Sequence, residues 1–177
     1  MAVSNTNADS LFLGSDGRGY FITARGNIRA NLCFPLREGL LDHLGKDRAV
    51  PAVYADLSQC VYMDSTFIGL MVAIDKKLRS TSGGRLHLVR PTPACRAILV
   101  QIGLESYLTI DEAQIDFPSR MEEISPEGDR PGADFILTAH EALMETSEEA
   151  RKKFGLLKEM LERKLRTEKP PQGTPGG

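Results

Sequence analysis

The sequence predicts an α/β domain: a mixed, mostly parallel sheet of four to five strands with helices, followed by a C-terminal helical extension. Three observations predict it. Strand-like and helix-like patterns alternate in the order β-β-α-β-α-β-α-β, which implies right-handed crossovers onto a sheet that is parallel in its centre. The element ends carry local signals, Asp16-Gly17 for a tight turn and Thr92-Pro93 for a helix start. From Arg120 onward strand character gives way to a charged helical pattern.

Taken in order, residues 10–13 and 20–23 are short β-rich runs around a glycine-rich turn and read as a hairpin. A β-rich run follows those glycines and the Walker Lys-Ser/Thr is missing, so they do not form a phosphate loop. Residues 32–44 place Phe34, Leu36, Leu40, Leu41 and Leu44 at helical spacing, with Gly45 expected as the C-terminal cap. Residues 51–57 read as a buried strand and 58–64 as a crossing loop. A helix then starts at Ser65, with Phe67, Ile68, Leu70, Met71, Ile74 and Leu78 on its apolar face. Asp75, Lys76, Lys77 and Arg79 are expected to be solvated, and Gly83-Gly84 to stop the helix. Residues 86–89 form a second core strand. Thr92 and Pro93 open a helix that buries Ile98, Leu99 and Ile102 and closes at Gly103, and residues 107–110 form the last strand.

The chain of 177 residues divides into a disordered N-terminus at 1–9, a folded domain at 10–119, a linker at 120–134, a helical extension at 135–167 and a disordered tail at 168–177. Up to residue 120 there are 13 Lys and Arg against 12 Asp and Glu, and beyond it 9 against 12, so no basic face for nucleic acid is expected. No apolar run approaches a membrane span and the first residues lack the pattern of a signal peptide, so a cytoplasmic chain without membrane contact is expected. Cys33, Cys60 and Cys95 have no metal-ligand spacing and fit buried thiols in a reducing compartment. His43, His87 and His140 are scattered and read as packed or surface residues. No catalytic residue, metal or cofactor is expected.

In the extension, Ile136, Leu143, Ser147, Ala150, Phe154, Leu157 and Leu161 fall on one stripe, and Thr138 with Glu141 has the spacing of a capping box. Such a stripe docks on its own domain, or pairs with a second copy as a homodimer or with a partner helix.

The chemically pointed position is the junction Tyr62-Met63-Asp64-Ser65-Thr66-Phe67-Ile68-Gly69-Leu70, where hydroxyls and a carboxylate lie at a helix start. Capping alone accounts for Asp64 and Ser65 at about 1 kcal/mol. The stretch from Tyr54 to Tyr107, with Asp56-Leu57-Ser58, Met63-Asp64-Ser65-Thr66-x-x-Gly69-Leu70 and the strand from Gly84 to Val89, resembles the STAS domain of anti-sigma factor antagonists. That resemblance implies a regulator that binds an anti-sigma factor or serine kinase of the histidine-kinase-like ATPase type and is reset by a PP2C-type phosphatase. It makes Ser65 the phosphoacceptor and Thr66 a second candidate, with Asp64, Ser65, Thr66 and Phe67 facing the partner. Phe67 stands where many relatives carry glycine. The alternative is a non-phosphorylated STAS adaptor or structural subunit of a larger signalling or transport complex. A serine hydrolase is disfavoured because the G-x-S-x-G elbow is missing, and a receiver domain because a lone Asp64 cannot supply its acidic cluster.

Overall fold

A computed structural model of the chain describes residues 8–46, 49–126 and 132–168. Ser10–Asp16 (β1) and Gly19–Ile28 (β2) form the expected antiparallel hairpin. Gly19 has φ 135° and packs against the Ala52 carbonyl, so neither the conformation nor the space admits a side chain. Ala30–Lys46 (α1) leads to Ala52–Met63 (β3), Ser65–Thr81 (α2) to Arg85–Val89 (β4), and Pro93–Gln101 (α3) to Thr109–Asp111 (β5). Glu122–Ile124 (β6) follows, then Ala133–Met144 (α4) and Glu148–Glu168 (α5). The sheet order is β5-β4-β3-β2-β1-β6, with parallel pairing from β2 to β5 and antiparallel pairing of β1 with both its neighbours. The α/β class and the parallel centre are as expected, with six strands in place of four to five.

Several details depart from the sequence expectation. Residues 58–63 are strand, because β2 continues beyond Thr23 through two register shifts and pairs Gly26 with Cys60 and Ile28 with Met63. The longer β3 delivers the chain directly to the start of α2. The 120–134 segment contains β6, which pairs Leu11, Phe12 and Leu13 of the otherwise open β1 edge with Ile124, Glu123 and Glu122. Helix α1 runs to Lys46, so Gly45 lies inside it. Thr138 sits within α4 and donates its hydroxyl to the Asp134 carbonyl at 2.9 Å, so it is no cap. Asp75 is fully buried, accepting the Leu86 N–H at 3.0 Å and pairing with Arg79 at 2.5 Å and Arg85 at 3.3 Å. Of the disorder expected for 1–9 and 168–177, residues 1–7 and 169–177 lie outside the described residues, and Glu168 is the last residue of α5. Asp9 is described and accepts the Asn27 N–H at 2.7 Å.

The core lies between one sheet face and helices α1 and α2, with Leu36, Leu40, Phe67, Leu70, Met71 and Ile74 fully or almost fully buried. The helical pair α4–α5 extends this core. Phe135, Leu143, Ala150 and Phe154 are buried, and Phe135 meets Phe34 edge-to-face at 5.5 Å. Burying each large apolar side chain contributes about 1.5–3 kcal/mol, which is enough to hold the pair on its own domain. At the far end Ser147 donates its hydroxyl to the Ile102 carbonyl at 3.0 Å and accepts the Ala150 N–H at 3.0 Å, capping α5 against the end of α3. Among the described residues no helix is long and apolar enough to cross a membrane.

Candidate functional site

The junction after β3 is organised by one carboxylate. Asp64 is the N-cap of α2, with extended backbone, and its Oδ1 accepts the Phe67 N–H at 2.9 Å. Its Oδ2 accepts the Ala30 N–H at 2.9 Å, at the start of α1, and its own N–H donates to the Ile28 carbonyl at 3.0 Å. The cap expected from sequence is therefore shared between two helices. This fixes the strand ends of β2 and β3 relative to α1 and α2, and with them the position of Ser65.

Ser65 is the first residue of α2 and half-buried. Its Oγ lies 2.7 Å from Nε2 of His140, 75 residues away on α4. His140 is only 1 % exposed and its ring stacks on Phe154 at 5.4 Å and 10°. Burial pushes the imidazole pKa down, and the negative charge of Asp64 opposes that shift in part. Nδ1 is buried with no hydrogen-bond partner among the described residues. An orphaned lone pair is better tolerated than an orphaned N–H, so the proton belongs on Nε2, which then donates to Ser65 Oγ. In that tautomer His140 anchors the serine and cannot take its proton. With nothing on Nδ1 to orient the ring as a base, the pair lacks the third group of a catalytic triad.

The sequence reading missed His140. Its one signal was spacing: Ile136, His140 and Leu143 share the buried face of α4, where an imidazole needs a polar neighbour from another element. The other two junction residues are placed differently from expectation. Thr66 is 4 % exposed and Phe67 is 0 % exposed, because these positions in the first turn of α2 face the interior. Thr66 is closed off as a second acceptor, and Phe67 is a core side chain and no partner-facing one. Of the four junction residues, Asp64 and Ser65 remain partly accessible.

Ser65 opens onto a cleft of about 320 Å³ between the starts of α2 and α5 and the end of α3. Tyr62, Met63, Ile68, Ile98, Ile102 and Phe154 give it apolar walls, Gln101 adds an amide, and Lys153 is its one charged lining residue. Val61 and Tyr62 are exposed on the adjoining end of β3, and Arg29 lies over the Tyr62 ring at 5.9 Å. Cys33, Cys60 and Cys95 are buried free thiols, and burial pushes the Cys33 thiol far up. Among the described residues no group of His, Cys, Asp and Glu is placed to hold a metal ion.

The family model described as "Mlab, STAS domain" matches residues 12–110, running from within β1 to within β5. No curated protein matches the chain at comparable significance. The solved structure of the anti-sigma factor antagonist SpoIIAA in its unphosphorylated form is similar, with a TM-score of 0.51 and 21 % identity, covering 56 % of this chain and 86 % of that one. An anti-sigma factor antagonist from Mycobacterium paratuberculosis is similar with a TM-score of 0.50 and 18 % identity, covering 63 % of this chain and 92 % of that one. At such identities the likeness is one of fold. The match takes in Asp64 and Ser65 and stops short of α4 and α5, which supply His140. With its parallel-centred sheet, its β3–α2 junction and a matched region of more than half its length, the chain belongs to the STAS domain family.

Proposed function

We propose that this STAS domain is a partner-switching regulator of the anti-sigma factor antagonist type, whose binding to an anti-sigma factor or serine kinase is controlled by phosphorylation of Ser65. The observation that carries the proposal is the placement of Ser65. Its hydroxyl stands at the N-terminus of α2, directly after the capping Asp64, and opens onto a cleft at the protein surface. A histidine-kinase-like ATPase transfers the γ-phosphoryl group of ATP: the Oγ–P bond forms, the bond from phosphorus to the departing ADP breaks, and the hydroxyl proton passes to a base of the kinase. A PP2C-type phosphatase reverses the state by hydrolysis. The phosphate adds about −1.5 to −2 charges beside Asp64, where the positive end of α2 tolerates it. A partner that closes over the junction must then desolvate that charge, and every 1.4 kcal/mol of penalty is about a tenfold loss of affinity.

Incubation with ATP and a histidine-kinase-like ATPase from the same source tests the proposal. Mass spectrometry is expected to place one phosphate on Ser65, and Ser65→Asp is expected to weaken partner binding. An unmodified Ser65, or a Ser65→Asp variant that binds as well as wild type, overturns it.

One observation favours a second reading. The Ser65 hydroxyl is already held by a buried imidazole beneath α4 and α5, as in a structural contact. On that reading the chain is a non-phosphorylated STAS adaptor in a larger signalling or transport complex. A stable complex with partner subunits in which Ser65 carries no phosphate decides for it.

A further inference from the structure

We infer that the α4–α5 pair is a receptor in cis for the phosphoryl group on Ser65, with the Nε2–H of His140 as its hydrogen-bond donor and Lys153 as its cation. The inference rests on the reading of Ser65 as a phosphoacceptor and adds what becomes of the phosphate. It starts from the charges around the cleft. On α5, Arg151 and Lys152 pair with Glu148, and Lys158 pairs with Glu141 and Glu162. Lys153, between them in sequence, has no ion-pair partner among the described residues and lines the same cleft as Ser65. An unpaired lysine that lines the same cleft as a serine hydroxyl, with no other charged residue among the described lining residues, is suited to an anion attached to that serine.

The room is there. One water takes about 30 Å³ of liquid, and the cleft measures about 320 Å³. In the unmodified protein Oγ is 2.7 Å from Nε2 of His140, so a phosphorus atom on Oγ must turn toward the open side of the serine, into the cleft. Its oxygens then lie next to the His140 N–H, in the cleft that Lys153 lines. His140 has the chemistry to respond. Its ring is kept neutral by burial, while the carboxylate of Asp64 already favours the charged form. The proton stays on Nε2, and that N–H passes from the serine oxygen to a phosphate oxygen, exchanging a neutral hydrogen bond for a charge-assisted one. Phosphorylation thereby holds α4 and α5 more firmly over the start of α2. The partner-facing junction closes by a contact within the chain, in addition to the repulsion a partner meets.

The test uses the full chain with phosphoserine placed at position 65 by genetic encoding, so that no kinase is needed. Hydrogen exchange of the amides of α4 and α5 is compared with that of the unmodified protein. Exchange is expected to slow at least about tenfold, the effect of one charge-assisted hydrogen bond. Lys153→Ala is expected to remove most of the slowing while leaving exchange of the unmodified chain unchanged. In imidazole nitrogen and proton spectra at neutral pH, His140 is expected to keep its Nε2–H tautomer and to show a shifted Nε2–H resonance coupled to phosphorus when position 65 carries phosphate. Faster exchange on phosphorylation, slowing that survives Lys153→Ala, or a His140 Nε2–H resonance unchanged by the phosphate each overturns the inference. Failure here is distinct from failure of the proposed function. A kinase that modifies Ser65 and frees α4 and α5 sinks only the cis receptor, whereas capture of the encoded phosphoserine with no kinase able to make it sinks only the switch.

Discussion

Gly69 of α2 lies against the backbone of Ala139 in α4, so close that a methyl group on it would run into the Ala139 carbonyl oxygen. This contact sets how near α4 comes to α2, and therefore whether His140, the next residue, reaches Ser65. Gly69 is part of the motif that carries the resemblance to STAS domains, and the structure shows what packs against it.

Gly69→Ala is expected to push α4 away while α2 stays helical. Alanine returns up to about 1 kcal/mol of helix propensity. Overpacking against a main-chain carbonyl that cannot swing aside costs about 1–3 kcal/mol, so the net effect is a loosened α4–α5 pair. Limited proteolysis should cut first within α4 and α5, and the Ser65 hydroxyl should become more accessible to a kinase. Unchanged protease resistance would show that α4 adapts without moving.

Asp64→Ala removes the N-cap of α2 and the acceptor for Ala30 at the start of α1 together. With about 1 kcal/mol for each capped helix end, the expected loss is about 2 kcal/mol, read as a lower urea midpoint. Asp64→Asn keeps one carbonyl acceptor and should lose about half as much. If the two variants are equally destabilised, the charge matters and not the two hydrogen bonds.

The parts of this architecture that follow from local chemistry were legible in the sequence. Asp16-Gly17 makes its turn, Thr92 accepts the Cys95 N–H at 3.3 Å with Pro93 behind it, and Asp64 caps α2. The parts that depend on distant partners were not. Val61 and Tyr62 are consecutive exposed residues and break the alternation of a strand, yet 58–63 is strand because β2 is there to pair with it. Glu122 and Glu123 carry no β signal, and β6 forms because β1 offers a free edge. Asp75 sits among Lys76, Lys77 and Arg79 and looked solvated, but the backbone of Leu86 and two arginines take it into the interior. At the site, Asp64 and Ser65 were visible as a capping pair. His140 was not, because no short-range pattern connects residues 75 apart.

The depressed pKa of His140 predicts an acid-sensitive α4–α5 pair. In the folded protein the imidazole titrates below its ordinary 6.5, through burial and despite Asp64. As pH falls through about 6.5 the unfolded chain therefore binds a proton that the folded one does not. Stability is full above that pH, declines as pH falls, and levels off once the folded imidazole is also protonated. The groups facing the ring are Asp64 and Ser65 from the α2 junction and Phe154 from α5. The difference between the urea midpoints of wild type and His140→Gln, followed from pH 8 to pH 5 (a range spanning about 1.5 units on either side of the ordinary histidine value), isolates this group from His43 and His87. A difference that does not change with pH would show that His140 is not held neutral.

Asp75 tests whether the core can be perturbed without touching the Ser65 site. Its carboxylate is fully buried, while Arg79 and Arg85 keep 37 % and 42 % of their side chains exposed. Removing the carboxylate therefore leaves two arginines that can turn to water and one buried N–H, that of Leu86, without its acceptor. The loss should fall below the 3–5 kcal/mol that stranding a buried charge costs, at about 2–3 kcal/mol for Asp75→Ala. Asp75→Asn keeps an acceptor for Leu86 and should lose about 1–2 kcal/mol, mostly the charge-assisted part of the arginine contacts. Both changes lie nearly three helical turns from Ser65, so phosphorylation of Ser65 by its kinase should proceed at the wild-type rate at temperatures where the variants remain folded. A large fall in that rate for Asp75→Asn would mean that α2 transmits a change at its C-terminal half to the capping junction, and that Asp64 does not fix Ser65 by itself.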